Sequence, residues 1–299
     1  MRIGTRSSPL ALRQAQIVKN LLIHEQLFAP DEIEIIPFKT TGDIITNQNL
    51  DEFGGKGLFT KEIEEALIDN KIDIAVHSMK DVATILPAQL AIPCTLPRED
   101  VRDAFISHIA KDIASLPKGA KFGTCSLRRA SQVLHLRPDL EIVMFRGNID
   151  TRLRKLEEGL ADATLLACAG LIRNNQHSYI TSILNTDEML PAVAQGALGV
   201  QCRVADKVTY SMLEYLNHKE TFECVNVERT FLRALDGSCR TPIAGLATLD
   251  GDNIHFEGLV ASRDGSICKR ERFVCGLINA QDMAWELGKQ MREILKDKS

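Results

Sequence analysis

Two short stretches with the same pattern decide how this chain folds. Residues 2–9 read Arg-Ile-Gly-Thr-Arg-Ser-Ser-Pro, and residues 121–127 read Lys-Phe-Gly-Thr-Cys-Ser-Leu. In both, a short strand ends at a Gly-Thr-x-Ser turn, and the serine before the next apolar segment is typical of a helix N-cap. Another strand is predicted after each helix, so both halves run strand, turn, helix, strand. This is the pattern of a duplicated architecture, and it is also compatible with a chance similarity around a turn.

The segments around these stretches continue to alternate between helix and strand. Apolar residues recur at helical spacing in the first helix, at Ala11, Ala15, Val18 and Leu22, and others widen its apolar face, at Leu10, Ile17 and Leu21. Strands are predicted at Ile33–Phe38, Asp73–Val76, Glu141–Phe145 and Ala163–Cys168, and further helices at Phe59–Ile68, Leu127–Leu136 and Thr151–Glu158. Such alternation is typical of βαβ units. We therefore expect an α/β fold of two lobes with mostly parallel sheets, facing a cleft where helix N-termini offer N–H groups to anions.

The last 80 or so residues change character. A helix is predicted over Lys219–Leu235, followed by a loop that contains Cys239. Three strands come next, joined at Asp250-Gly251 and Asp264-Gly265, which are both strong hairpin signals. A closing helix places four apolar residues on one stripe, at Met283, Leu287, Met291 and Leu295. This segment is predicted to be a small α+β domain with a three-stranded antiparallel sheet.

Composition excludes several classes of protein. The chain has 299 residues, a net charge of −4 and 5% aromatic residues, which argues against a nucleic-acid or membrane-surface binder. No apolar run approaches the ~18 residues of a membrane span, and the N-terminal stretch lacks the apolar core of a signal peptide, so we expect a cytoplasmic protein. The eight cysteines form no CxxC pair and no cluster with histidine, so no metal site and no disulfide framework is expected.

Basic residues are concentrated in one part of the chain. Between Lys121 and Lys155, eight basic residues stand against three acidic ones, a net charge of +5 in a chain of −4. Arg128 and Arg129 fall in the first turn of a helix, where a cation is unfavourable unless an anion is present too. Arginines have similar positions at strand ends or helix starts at Arg6, Arg146 and Arg152. Because the arginine fork suits carboxylates and phosphates, the pattern predicts a cleft for a polyanionic small molecule. A solvated helix face is the interpretation for Arg137, Arg154 and Lys155.

His77-Ser-Met-Lys-Asp81 directly follows a predicted buried strand. In open α/β sheets, ligands bind outside the carboxyl ends of the strands. Lys80 and Asp81 are therefore either a surface ion pair or a site in which the carboxylate serves acid–base chemistry or stabilises a developing cation. No nucleotide-binding or zinc-protease motif is present. The glycine-rich stretch around Lys56 precedes a helix and by itself indicates a loop.

Six motifs occur in one order along the chain. They are Gly-Gly-Lys-Gly-Leu-Phe at 54–59, His-Ser-Met-Lys-Asp at 77–81, Ser-Leu-Arg-Arg at 126–129, Arg-Gly-Asn at 146–148, Leu-Pro-Ala-Val-x-Gln-Gly-Ala at 190–197, and the loop around Cys239. Together they make the chain resemble the porphobilinogen deaminase (hydroxymethylbilane synthase) family over essentially its full length.

The resemblance implies an architecture and a reaction. It implies two lobes similar to periplasmic binding proteins, residues 1–97 with 197–215 and residues 98–196, and a C-terminal domain over 216–299. A dipyrromethane cofactor would be attached by a thioether to Cys239. The enzyme, a monomeric transferase, would join four porphobilinogen molecules head to tail into hydroxymethylbilane for haem and porphyrin synthesis, with release of ammonia. No metal, nucleic acid or membrane is implied.

The resemblance also implies which residues form the site. Asp81 matches the catalytic carboxylate. Positions that would contact the cofactor or the growing chain are Arg6, Ser8, Lys56, Phe59, Lys80, Thr124, Ser126, Arg128, Arg129, Arg146, Arg152, Arg173 and Gln195. Each pyrrole carries an acetate and a propionate, so an arginine-rich site suits such a ligand. Loss of ammonia leaves a cation that a nearby carboxylate can stabilise.

Six positions depart from the family pattern: Ser238 and Arg240 beside Cys239, Thr41 for a usual Arg, Ala83 for Pro, Cys125 for Ser and Ala194 for Gly. None of them removes a reacting group. The alternative to an enzyme is a two-lobed binding protein for a polycarboxylate, which would not require Cys239 or Asp81.

Overall fold

The computed structural model describes residues 1–44, 57–236 and 241–296. The chain divides into two compact units. Unit 1 comprises Met1–Glu99 and Gly196–Phe222, and unit 2 comprises Asp100–Gln195 and Glu223–Ser299. The C-terminal segment is grouped with unit 2 in this division, and the three domain boundaries expected from the sequence stay a prediction.

The described residues form strands and helices in the following order. The strands are β1 (Arg2–Arg6), β2 (Glu34–Phe38), β3 (Ile74–Ser78), β4 (Leu90–Thr95), β5 (Asp103–Ser107), β6 (Lys121–Gly123), β7 (Glu141–Val143), β8 (Ala163–Ala167), β9 (Ser182–Ile183), β10 (Leu198–Arg203), β11 (Ile243–Asp250), β12 (Asn253–Ala261) and β13 (Cys268–Gly276). The helices are α1 (Pro9–His24), α2 (Thr41–Ile44), α3 (Lys61–Ile68), α4 (Leu127–Leu136), α5 (Ile149–Glu157), α6 (Cys168–Arg173), α7 (Lys207–Tyr215), α8 (Lys219–Ala234) and α9 (Leu277–Lys296).

Unit 1 is built on a sheet with the strand order β2-β1-β3-β10-β4. β1 pairs in parallel with both β2 and β3, whereas β10 is antiparallel to β3 and β4, so four of the five described strands run in one direction. Ser8 caps α1 as predicted, since its Oγ accepts a hydrogen bond from the Ala11 N–H at 3.3 Å. The predicted core face of α1 is buried, but Ile17, expected to widen it, is 39% exposed, and Gln14 is buried instead.

The sheet of unit 2 has an equivalent topology. Its order is β7-β6-β8-β5-β9, with β6 parallel to both neighbours and β5 antiparallel to β8 and β9. The duplicated strand, turn, helix, strand pattern and the mostly parallel sheets are therefore confirmed. In each unit the reversed strand, β10 or β5, is the first strand after the chain enters from the other unit.

The C-terminal segment forms the three-stranded antiparallel sheet β11-β12-β13, with hairpins at the two predicted Asp-Gly sites. Phe231 of α8 packs edge-on against Phe256 of β12, with ring centroids 5.1 Å apart. α9 covers the same core mainly with Ala280, Ala284 and Met291. Met283 is 43% exposed, so the predicted apolar stripe of this helix is wrong at that position.

Arg137 was predicted to lie on a solvated face, and this is wrong. Its guanidinium donates to the carbonyls of Ile113, Ala114 and Leu116 and forms a two-point ion pair with Asp139. Arg137 directly follows α4, and these bonds hold the loop at residues 113–116 in place. The interpretation of Arg154 is confirmed: its side chain is 68% exposed and lies 3.7 Å from Glu158, one helical turn away. In the described segments, no helix combines the length and apolar character that crossing a membrane requires.

Candidate functional site

Arg6 and Asp81 meet at the carboxyl ends of two adjacent parallel strands. Arg6 is the last residue of β1, and Asp81 ends the short 3-10 turn Met79–Asp81 that directly follows β3. Arg6 Nη1 lies 3.6 Å from Asp81 Oδ2. The Met79 N–H donates to the Ala197 carbonyl at 3.0 Å, which anchors this turn next to β10. The carboxylate side chain of Asp81 remains 34% exposed and is thus accessible to a ligand.

The Arg6 guanidinium is held by two further groups. Its plane lies over the Phe59 ring, 4.3 Å from the ring centroid. Its Nε and Nη2 donate to the two carboxylate oxygens of Asp43, at 3.3 Å and 2.5 Å. Burial tends to lower the pKa of Arg6, but the bond to Asp43 and the charge of Asp81 outweigh it and raise that pKa. Sequence reasoning missed Asp43. It lies in Thr-Gly-Asp just after β2, and a carboxylate just after a strand is the same signal that identified Asp81.

A second cluster surrounds a buried carboxylate in unit 2. Asp103 opens β5 and is fully buried, with Arg128 Nη1 2.7 Å from Oδ2 and Arg129 Nη2 2.7 Å from Oδ1. The two guanidinium groups outweigh the effect of burial, so the pKa of Asp103 is far below its ordinary value. Arginines in the first turn of a helix were expected to have an anion nearby. For Arg128 and Arg129 that anion is the Asp103 carboxylate of the chain itself. Sequence reasoning missed Asp103, because nothing local marks it.

Gln195, Arg128 and Arg129 are thus brought together around Asp103. Gln195 Nε2 donates to Asp103 Oδ1 at 3.0 Å and to the Val101 carbonyl at 2.7 Å. The Nε atoms of both arginines are buried and have no hydrogen-bond partner among the described residues. The cluster carries one net positive charge, and it has donors that a carboxylate ligand would satisfy.

The Gly-Thr-x-Ser turn before α4 orders the start of that helix. Ser126 Oγ accepts from the Arg129 N–H at 3.4 Å, and the Ser126 N–H donates to Thr124 Oγ1 at 3.1 Å. Cys125 is exposed, and its Sγ accepts a hydrogen bond from the Phe145 N–H at 3.2 Å. A thiol in place of the usual serine therefore still accepts a backbone hydrogen bond here.

The remaining predicted ligand residues are spread over both units, and some lie outside the described residues. Arg152 Nε donates to the Gly147 carbonyl at 2.8 Å, and Lys155 Nζ donates to the Arg146 carbonyl at 2.9 Å, so Arg146 and Arg152 flank one turn. Arg173 is half-buried at the end of α6. In unit 1, Lys80 is exposed within the Met79–Asp81 turn, and Ser8 caps α1. Outside the described residues lie Lys56, Ser238, Cys239 and Arg240.

Two further departures from the family pattern, in addition to Cys125, also have local partners. Thr41 donates to Glu62 of α3 from its N–H at 2.8 Å and from its hydroxyl. Ala194 has a left-handed backbone (φ 60°), and its N–H donates at 2.6 Å to Glu228 of α8. Glu228 is fully buried and also accepts from the Ala247 N–H at 2.9 Å. Glu228 therefore joins α8 to β11 and to the segment that precedes the crossing at residue 195.

A buried polar chain lies behind the Asp81 turn. His77 Nε2 is 2.9 Å from Gln201 Oε1, and Gln201 Nε2 donates to Glu64 Oε1 at 3.1 Å. Because the Gln201 amide nitrogen faces Glu64, its oxygen faces His77, and His77 Nε2 carries the hydrogen. Burial lowers the pKa of His77 to about 4, so the ring is neutral at pH 7. Among the described residues, no group of three or more His, Cys, Asp or Glu side chains could hold a metal ion.

Two family models and two curated relatives that match this chain all belong to one protein family. Residues 1–211 match the family model "Porphobilinogen deaminase, dipyromethane cofactor binding domain", and residues 222–297 match "Porphobilinogen deaminase, C-terminal domain". The chain is 58% identical over 270 residues to the chloroplastic porphobilinogen deaminase of Pisum sativum, covering 89% of this chain and 73% of the relative. With that of Oryza sativa subsp. japonica it is 56% identical over 269 residues, covering 89% and 75%.

Solved structures similar to this chain include periplasmic proteins. One is a periplasmic substrate-binding protein of an ABC transporter from Coxiella burnetii, with a TM-score of 0.46, 15% identity, and coverage of 74% of this chain and 93% of that one. Another is the periplasmic VFT2 domain of BvgS from Bordetella pertussis, with a TM-score of 0.41, 14% identity, and coverage of 72% and 86%.

Proposed function

This chain belongs to the porphobilinogen deaminase family, and from that premise we propose that it condenses four porphobilinogen molecules head to tail into hydroxymethylbilane with release of ammonia. A dipyrromethane attached through a thioether to Cys239 primes the reaction. The observation that carries the proposal is the half-exposed carboxylate of Asp81 beside Arg6, at the carboxyl ends of β1 and β3. This is where an open α/β sheet binds its ligand.

Asp81 is the catalytic carboxylate in this proposal. When porphobilinogen loses ammonia, a cation forms, and a carboxylate placed beforehand stabilises that charge as it develops. The same oxygen can accept the proton that leaves the pyrrole after the carbon–carbon bond has formed. Arg6 lies 3.6 Å away, so it can orient Asp81 or a ligand carboxylate without forming a close ion pair with Asp81.

The residues present suit the proposed cofactor. A dipyrromethane supplies a nucleophilic terminal pyrrole to which the substrate is added, and it carries acetate and propionate side chains. Arg146 and Arg152, both half-buried, and the partly unsatisfied guanidinium groups of Arg128 and Arg129 are donors that match carboxylates. We propose that these four arginines, with Thr124, Ser126, Arg173 and Gln195, bind the cofactor and the growing chain. In unit 1, Ser8, Lys56, Phe59 and Lys80 are proposed to do the same.

The intact mass of the purified protein tests this function. The native mass should exceed that of the polypeptide by two linked pyrrole units, and Cys239→Ser should lack the excess and the activity. Cys125→Ser, which replaces an exposed thiol by the serine that is usual in the family at this position, should retain both. Formation of hydroxymethylbilane by protein of unmodified mass would contradict attachment at Cys239. A polycarboxylate-binding protein without chemistry would bind porphobilinogen and release no ammonia.

The compartment and the assembly state are proposals of the same kind. We place the protein in the cytoplasm as a monomer that needs neither a membrane nor a nucleic acid. The relatives from Pisum sativum and Oryza sativa are named chloroplastic, so a plastid is the competing location. Cell fractionation with an antibody against the native protein decides between the two, and light scattering of the purified protein measures its mass in solution.

A further inference from the structure

The orientation of Arg6 in unit 1 is set by a residue to which no role has so far been assigned. A guanidinium group can bind a carboxylate in two-point fashion, and Arg6 has two carboxylates within reach. Its Nε and Nη2 form the two-point pair with Asp43, at 3.3 Å and 2.5 Å. Only Nη1 is directed to Asp81, and at 3.6 Å it is beyond normal hydrogen-bond distance. Asp43, not Asp81, therefore holds the arginine fork.

Asp43 is itself held firmly. Its Oδ2 accepts hydrogen bonds from the N–H of Thr40 at 3.3 Å and from the Thr40 hydroxyl at 2.7 Å, and Thr40 is fully buried. Burial tends to raise the pKa of Asp43, but the bonds from Arg6 and Thr40 outweigh it, so the pKa is lowered and the carboxylate is ionised at neutral pH. The fork of Arg6 is thus paired with a fixed negative charge.

Phe59 covers one face of the Arg6 guanidinium. The ring lies under the Arg6 guanidinium at 4.3 Å, and a Cβ at Gly42 would come within 2.3 Å of that ring. The Gly42 N–H donates to the Leu58 carbonyl at 2.8 Å, which fixes Phe59 relative to Asp43. Asp43 therefore restrains one edge of the Arg6 guanidinium, and Phe59 restrains one face. The remaining nitrogen, Nη1, is directed to Asp81.

We propose that Asp43 is a positioning residue that keeps the Arg6 fork away from Asp81, so that the Asp81 carboxylate remains available to the substrate. This inference rests on the proposed function. Without the Asp43 charge, Arg6 would turn its fork towards Asp81 and form a close ion pair. That pair would compete with the substrate-derived cation for the same oxygens, so the chemical step would slow although Asp81 itself is unchanged.

The test compares Asp43→Asn in two backgrounds by single-turnover measurement of ammonia release. In the otherwise wild-type enzyme, Asp43→Asn should slow the step by roughly 10- to 100-fold, the range expected for a charge-assisted interaction. In an Asp81→Asn background there is no carboxylate for Arg6 to turn to, so the same change should slow the residual rate by less than about threefold. Asp43→Glu keeps the charge and should recover most of the wild-type rate.

The chain provides a matched control at the other end of β1. Asp73 forms the same two-point pair with Arg2, with Nε 3.3 Å from Oδ2 and Nη2 2.7 Å from Oδ1. Asp73→Asn should leave the rate within about twofold of wild type, because no catalytic carboxylate lies beside Arg2. A similar loss in Asp73→Asn would show a general effect on the sheet and overturn the proposal.

Two other results would overturn it as well. One is a wild-type rate in Asp43→Asn. The other is an equal slowing by Asp43→Asn in both backgrounds, because Asp43 would then act independently of Asp81. If Asp43→Asn fails to fold, the Asp43→Glu variant decides, because a well-folded Glu variant that is as slow as Asp81→Asn contradicts a role for the charge. Failure of the proposed function is distinct, since the wild-type protein would then release no ammonia.

Discussion

Gln195 donates a hydrogen bond from Nε2 to the fully buried carboxylate of Asp103, over 3.0 Å. The two residues lie near the opposite ends of the segment Asp100–Gln195, where the chain enters and leaves unit 2. The same carboxylate binds Arg128 and Arg129 at the start of α4. One buried side chain thus ties both ends of the segment to the helix that follows the Gly-Thr-x-Ser turn.

The first prediction concerns this cluster. Asp103→Asn removes the counter-charge that the chain itself supplies to the buried Arg128 and Arg129, so the free energy of unfolding should fall by about 3–5 kcal/mol. Urea unfolding followed by circular dichroism measures the change. As a control, Glu158→Gln removes the partner of Arg154 on an exposed face and should alter stability by less than about 1 kcal/mol. Equal effects of the two substitutions would refute a structural role for the buried carboxylate.

The second prediction separates binding from chemistry at Asp81. Asp81→Asn keeps the shape and removes the charge, and it should lower turnover by orders of magnitude while the melting temperature changes little. The reason is that the cation it stabilises exists only once ammonia begins to leave, so the loss falls on the transition state. Asp81→Glu should lie between the two rates. Ammonia release at nearly the wild-type rate in Asp81→Asn would exclude Asp81 as the catalytic carboxylate.

The third prediction is a pH dependence of stability caused by His77. Burial lowers its pKa to about 4 in the folded protein, whereas an unfolded histidine titrates near pH 6.5. The unfolded state therefore takes up the proton first as the pH falls. The stabilisation is complete above about pH 6.5 and is lost progressively down to pH 4, by about 3 kcal/mol in total.

The difference between wild type and His77→Asn isolates this contribution. The variant should show a flatter stability curve between pH 6.5 and 4, measured by urea unfolding at closely spaced pH values. His24→Gln changes a side chain that is 82% exposed, and it should reproduce the wild-type curve. Parallel curves for wild type and His77→Asn would mean that another group causes the loss of stability in acid.

The fourth prediction concerns the buried Glu228. Glu228→Gln replaces one of two accepting oxygens by an amide that points hydrogens at a backbone N–H, either that of Ala194 or that of Ala247. An unsatisfied buried donor costs roughly 1–3 kcal/mol, so the melting temperature should fall clearly. Glu220→Gln, at an exposed position in the first turn of α8, is the control and should have little effect. A wild-type melting temperature in Glu228→Gln would show that the hydrogen bonds that Glu228 accepts from Ala194 and Ala247 contribute nothing to stability.

Much of the candidate site could be predicted from local sequence, and its supporting carboxylates could not. The Ser8 and Ser126 caps, the two Asp-Gly hairpins and the position of Asp81 after β3 all follow from patterns a few residues long. Asp103 and Glu228 have no such pattern, and the strand-end position of Asp43 does not show which residue it pairs with. Each is separated from its main partner by between 19 and 37 residues of sequence, and a single carboxylate in the sequence looks the same whether it is solvated or buried.

The sequence by itself determined the alternation of helix and strand, the repeated turn, and the motif series that identifies the family, because hydrophobic periodicity, capping and turn formation depend on neighbouring residues. Only the tertiary structure decided that β5 and β10 run against their sheets, that Arg128 and Arg129 share a buried Asp103, and that the fork of Arg6 faces Asp43. These depend on which distant segments become neighbours. A buried charge must find its partner wherever the packed chain places one, and spacing along the sequence does not record that choice.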